Sequence, residues 1–259
     1  MISLVRAELL KIRSTRMWLG MLALSVGFAL FGLGVLIAFA GVKQRGETVI
    51  PPVSDPETVR GFYSVASGGV LFMMILGIIG ITGEYRHQTI TQAFLTTPRR
   101  GRLLAAKLVS YFGFGLAFGV LTVLAVVIVA LPALAIKGGS TSLIDNDVPV
   151  VLGGTVLAMG LYALVGLGLG ALIRNQIAAI IVAVVWVQLV EGIVSLALPK
   201  VGQWLPAGAV RAITQTSGGL GGPGDADTLP VWGGVLVLLT YGLAFAAIAT
   251  VTTVRRDIT

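Results

Sequence analysis

The chain contains no cysteine, which excludes disulfides, thiolate metal ligands and cysteine nucleophiles. Its one histidine, His87, cannot build a histidine metal site alone. Charge is scarce too. Asp, Glu, Lys and Arg make up 11% of the 259 residues, against about 25% in soluble domains. No G-x-x-x-x-G-K-[ST] loop is present to cradle a phosphate, since the Gly-rich run at Gly218–Gly224 lacks the lysine. No Ser-His-Asp set or intramembrane metal cluster stands out, so nothing argues for catalysis in this chain. No Ala-x-Ala-like site closes a short first apolar run, so no cleavable signal peptide is expected.

What the sequence does have is apolar length. It is 56% hydrophobic with a mean hydropathy of +0.97, the composition of an integral membrane protein. The pI near 10.1 does not imply nucleic acid. The cations form no contiguous patch with aromatic partners, and a membrane surface explains them better.

The longest basic interruption between apolar runs is Gly83–Lys107, GEYRHQTITQAFLTTPRRGRLLAAK. It sets Arg86, Arg99, Arg100, Arg102 and Lys107 against one acid, Glu84. Such a segment reads as a loop on the cytoplasmic face. Around it we expect a single all-α transmembrane domain over residues 1–259. Its six spans fall at about 17–40, 62–83, 108–136, 150–173, 177–198 and 230–254, each near the length a bilayer core requires.

Residues 1–16 carry Ile2, Val5, Leu9 and Ile12 at helical spacing with Arg6, Lys11, Arg13 and Arg16 around them. They are expected to form an amphipathic helix on the inner leaflet. Trp18 anchors the first span at the interface. Gly41–Gly61, with Pro51, Pro52 and Pro56, reads as an external loop, because proline cannot continue a helix. Pro132 is expected to kink span three, and Arg174-Asn175-Gln176 to turn tightly between spans four and five.

With both termini inside, the cytoplasmic segments hold twelve of the 18 Lys and Arg residues and the outer segments six. That bias sets the orientation. Two small-residue pairs, Gly115/Gly119 and Gly166/Gly170, fit close helix packing. In a chain with 35 glycines such pairs also arise by chance, and we read these as packing within one subunit.

Glu191 is the one acid placed within a span. A carboxylate at a helix centre costs roughly 2.5 to 3.5 kcal/mol on insertion scales; Glu191 lies nearer the outer end, where the cost is lower. Gln188, one turn away, is expected on the same face. The pair reads either as a polar group at the outer interface or as a spot lining a translocation path.

A basic amphipathic amino terminus, six spans and a long first cytoplasmic loop together resemble the permease subunits of type 2 ABC exporters, in particular high-GC bacterial members. Within the loop the resemblance rests on Glu84, Gln88-Thr89-Ile90, Phe94-Leu95, Pro98-Arg99 and Lys107, with Gln88 where glycine is more usual. The Arg174-Asn175-Gln176 turn and the Ala- and Val-rich span after it add to it.

The resemblance implies a coupling helix at Thr89–Thr96 that docks on a separate ABC ATPase subunit. Phe94 would be its anchor, with Glu84, Thr89, Ile90, Arg99, Arg100 and Lys107 around it. It also implies a second permease subunit, identical or related, and a re-entrant outer segment after span five, ahead of a flexible loop at Ser217–Asp227. ATP and Mg would be held by the ATPase, leaving this chain without a cofactor, in the plasma membrane and in contact with lipid. The alternatives are an ATP-independent secondary transporter, or a membrane assembly subunit that transports nothing.

Overall fold

The computed structural model of the protein describes residues 1–44, 47–48, 50–86, 100–216 and 228–256. The expected coupling helix at Thr89–Thr96 and the loop at Ser217–Asp227 lie outside the described residues. Among the described residues, six helical segments are long and apolar enough to cross a membrane. The described residues are α-helical, with a two-residue antiparallel pairing of Lys43–Gln44 (β1) with Glu47–Thr48 (β2) and an isolated bridge between Ala40 and Ile50 beside it.

The amino-terminal helix α1 spans Ile2–Ser14, and α2 follows at Met17–Phe39. The second crossing is made by α3 (Pro56–Ser64), a 3₁₀ stretch (Val65–Gly69) and α4 (Val70–Arg86). It begins six residues before the expected Phe62. Pro56 occupies the first helical turn, where a missing N–H costs nothing, and the Asp55 side chain accepts from Thr58 N at 3.3 Å. Pro56, expected to bar a helix, begins one.

The third crossing, α5 (Arg100–Lys137), also starts earlier than expected and runs through Pro132. It ends at Gly138, whose φ of +74° suits glycine. There Gly139 N donates to Leu134 O at 2.8 Å, which satisfies one of the carbonyls the helix end leaves unpaired.

α6 spans Val148–Ile173. The tight turn is as expected. Arg174 adopts a left-handed conformation, and the Asn175 side chain caps the next helix by accepting from Ala178 N at 3.1 Å. The fifth crossing joins α7 (Gln176–Val185), a π turn (Trp186–Val190) and α8 (Glu191–Ala197). Two short helices, α9 (Pro199–Gly202) and α10 (Pro206–Thr214), precede the last crossing, α11 (Val231–Arg256).

The bundle is organised on α6. Its neighbours are α4, α5 and α11. It is 78% buried over its apolar stretch, against 22% for α2 and 17% for Gln176–Ala197. Close approach on the α4 side requires glycine. A Cβ at Gly77 would lie 2.6 Å from Ala163 O, and one at Gly166 would collide with the Met74 carbonyl. Gly115 and Gly119 likewise face Gly160 and Val156, so both glycine pairs pack inside the subunit.

Candidate functional site: an ionic cluster at the root of the 87–99 segment

Six crossings place α1, the two ends of the 87–99 segment and the Arg174 turn at one end of the bundle. Glu84 lies in the last turn of α4 and Lys107 in the second turn of α5, so they flank that segment on either side. They meet: Lys107 Nζ donates to Glu84 Oε1 at 2.8 Å. Lys107 also donates to Glu8 Oε2 of α1 at 2.5 Å. Lys11 closes the figure, donating to Glu8 Oε1 at 2.9 Å and to Glu84 Oε1 at 3.0 Å.

Two carboxylates and two ammonium groups thus alternate around a square of net charge zero, drawn from three helices. Lys107, Glu8 and Glu84 are 3%, 4% and 11% exposed at the side chain, and Lys11 is the open corner at 55%. Burial alone would raise the Glu8 carboxyl. Lys107 and Lys11 outweigh it and hold the group below the ordinary carboxylate value. Burial would likewise lower the Lys11 ammonium, but its bonds to Glu8 and Glu84 hold it above the ordinary lysine value.

Further contacts brace the cluster. Ser110 Oγ donates to Val5 O at 3.3 Å, a second tie between α5 and α1. Lys107 Nζ lies 5.9 Å from the centre of the Tyr111 ring, and Arg174 stands 5.7 Å over the ring of Tyr85. The second contact links the end of α4 to the turn after α6.

Sequence reasoning found Glu84 and Lys107 but missed Glu8 and Lys11. The α1 helix is present with most of its apolar stripe turned inward: Val5 and Leu9 are half-buried and Ile12 is buried, Ile2 is exposed, and Glu8 is buried on that same face. A signal was available: Glu8 falls in register with Val5 and Ile12, an acid on the apolar stripe of an otherwise basic helix. Of the other expected residues, Arg100 opens α5, while Thr89, Ile90, Phe94 and Arg99 lie outside the described residues.

The second expected site is different from its reading. Glu191 is 1% exposed and points into the subunit. Its Oε2 accepts from Ala207 N at 2.6 Å, in the first turn of α10, where a carboxylate complements unpaired N–H groups. Glu191 lies within electrostatic reach of Tyr162 of α6, Tyr241 of α11 and Arg211 of α10. Gln188 does not share its face, for it is exposed. The π turn is the physical reason. Glu191 N bonds Trp186 O across five residues, so the regular helical register that would align the two side chains is broken between them.

Residues 4–189 match the family described as ABC-2 family transporter protein. That span covers α1 through most of the π turn, and therefore all four members of the ionic cluster. The chain belongs to the ABC-2 transporter family. A search of curated proteins finds no match. As an ABC-2 protein the chain is a multi-pass membrane transport component, of a family that typically works with an ATPase partner. Glu191 and α8 to α11 lie beyond the matched residues.

Proposed function

We propose that the protein is the permease subunit of an ATP-driven exporter. It pairs with a second permease subunit, identical or related, and docks two copies of a separate ATPase through the 87–99 segment. ATP and Mg are held by the ATPase. Closure of the ATPases draws the docked segments together, and the membrane helices convert that displacement into outward access for the substrate. Both termini and the segment lie on the cytoplasmic side of the plasma membrane, in keeping with the distribution of Lys and Arg.

The observation that carries this reading is the rooting of the segment. Within an ABC-2 chain, the one long basic segment leaves and re-enters the bundle through residues fixed in a buried ionic cluster. A loop that only enforced orientation would need its charge but not a braced base. At the other end, Glu191 holds α10 against α8, while Gln188 faces outward towards lipid or the second subunit.

Phe94 is the largest apolar side chain of Thr89–Thr96 and the natural anchor in an ATPase groove. Truncating such an anchor commonly costs 2 kcal/mol or more, roughly 30-fold in affinity. Co-purification of the ATPase with Phe94→Ala, together with ATP hydrolysis by the recovered complex, tests the assignment. The expected result is loss of the ATPase, with Arg100→Ala showing a smaller, salt-dependent effect. Unchanged retention and hydrolysis in Phe94→Ala would overturn docking through this segment.

A further inference from the structure

We infer that α1 is the clamp that sets the spacing of the two arms of the 87–99 segment, with Glu8 as its positioning residue. α4 and α5 each pack against α6, and they touch one another only slightly. Between the arms, Lys107 and Glu84 form a direct ionic link. Both then bond outward to α1, Lys107 to Glu8 and Glu84 to Lys11. Lys107 thus bonds one carboxylate on α4 and one on α1, and Glu8 bonds one ammonium on α5 and one on its own helix.

This arrangement couples three helices that sequence distance separates. Glu8 and Lys107 are 99 residues apart, and Lys11 and Glu84 are 73. Parting α4 from α5 at this end would strand Lys107 or Glu84 without its counter-charge in a buried place, which is costly. Keeping every charge paired requires α1 to move with both arms as one body. Ser110, bonded to the Val5 carbonyl, extends that union along α1 towards its amino-terminal end. α1 therefore is part of the moving base and not a helix resting freely on lipid. Thr15 and Arg16 alone separate it from the first crossing, so displacement of the base reaches α2 directly. That last consequence rests on the coupling reading above; the clamp itself does not.

The experiment uses the full chain, whose lack of cysteine allows labels at chosen positions. Arg86→Cys and Gly101→Cys bracket the segment at exposed positions, and a side chain at Gly101 meets nothing within 4 Å. Spin labels there report the distance between the arms by pulsed electron resonance in detergent. The decisive variant is Glu8→Gln with Lys11→Gln. It cuts α1 out of the square yet leaves Lys107 and Glu84 as a neutral pair, so no charge is stranded.

The expected result is a distance distribution that is narrow in the parent and broadened or displaced in this variant. Full reversal, Glu8→Lys, Lys11→Glu, Glu84→Lys and Lys107→Glu, rebuilds all four contacts and is expected to restore the narrow distribution. An unchanged distribution in Glu8→Gln/Lys11→Gln would overturn the clamp and leave α1 a passenger on α5. Failure of the full reversal to restore the narrow distribution would count against the ionic contacts as its cause. ATPase retention, measured on the same samples, separates the two readings. A clamped base in a chain that binds no ATPase refutes the proposed function alone. An ATPase that stays bound to a chain with unaltered arms refutes the clamp alone.

Discussion

Lys107 bonds two carboxylates in a place with almost no solvent, and its removal is not the same as removal of Lys11. With Lys107→Ala, Glu8 and Glu84 would be left buried with only the exposed Lys11 between them. Breaking a buried ion pair from one side typically costs about 3–5 kcal/mol. Lys11→Ala removes a side chain that is 55% exposed, and such contacts are worth about 0–1 kcal/mol. The midpoint of thermal unfolding in detergent is expected to rank the variants in that order. Equal effects would mean that the square is not buried in solution.

The shifts at the cluster also fix a pH window. Glu8 has a lowered pKa, so its contribution is complete above the ordinary carboxyl value of 4.5 and is lost as pH falls through the lowered one. Lys11 has a raised pKa, so its contribution is complete below 10.5 and is lost as pH rises through the higher value. The stability difference between the parent and Glu8→Gln/Lys11→Gln is therefore expected to stay level from about pH 6 to 9. It should shrink below 4.5. A difference that changes between pH 6 and 8 would contradict the assignment.

At the scale of elements, the packing of α4 on α6 depends on backbone contact. Gly166→Ala would drive a methyl group into the Met74 carbonyl; overpacking of this kind costs typically 1–3 kcal/mol, as an order of magnitude. Gly153, on the same helix, has open space where a Cβ would go, and Gly153→Ala is expected to be neutral or slightly stabilising. Paired unfolding curves of the two variants test whether α4 and α6 meet as described. Glu191 makes a second test. Glu191→Gln retains an oxygen that can accept from Ala207 N, whereas Glu191→Ala retains none. Amide exchange in α10 is expected to quicken in Glu191→Ala and to stay near the parent rate in Glu191→Gln. Equal exchange in all three would remove Glu191 as the cap of α10.

The elements were largely legible in the sequence, and the failures have physical causes. Apolar length and the Arg174-Asn175-Gln176 turn marked the crossings well, because a bilayer sets a minimum run and an Asn cap leaves a local sign. Helix starts were missed at Pro56 and Arg100, since proline and positive charge interrupt hydropathy without interrupting the first turns of a helix. The candidate site was half legible. Glu84 and Lys107 border the basic segment and could be read there, but Glu8 joins them only through tertiary packing. Gln188 and Glu191 could not be placed correctly, because a π turn leaves no reliable mark in the residue pattern.

For the whole molecule, orientation is the testable statement. Single cysteines at Ser54 and Ser142 are expected to react with an impermeant thiol reagent in intact cells, and one at Ser14 is not. With no native cysteine the background is nil. Labelling at Ser14 would invert the topology, and with it the side from which an ATPase could bind.

The central place of α6 bears on how the protein is made. A chain is synthesised from its amino terminus, and α6 is the fourth crossing to emerge. The three before it enter the membrane without the helix on which two of them, α4 and α5, pack in the finished bundle. The carbonyls of Met74 and Ile78 and the glycines at 77, 115 and 119 are shaped for a surface not yet synthesised. Until Val148–Ile173 is inserted, those early crossings have α1, α2 and the ionic cluster to hold them but lack the helix that buries α4 and α5, which leaves them open to quality-control proteases. Arrested chains ending at residue 147 are thus expected to be degraded quickly, and chains extended past residue 174 to survive much longer. Such a result would place a commitment point in the assembly of this bundle at its fourth crossing.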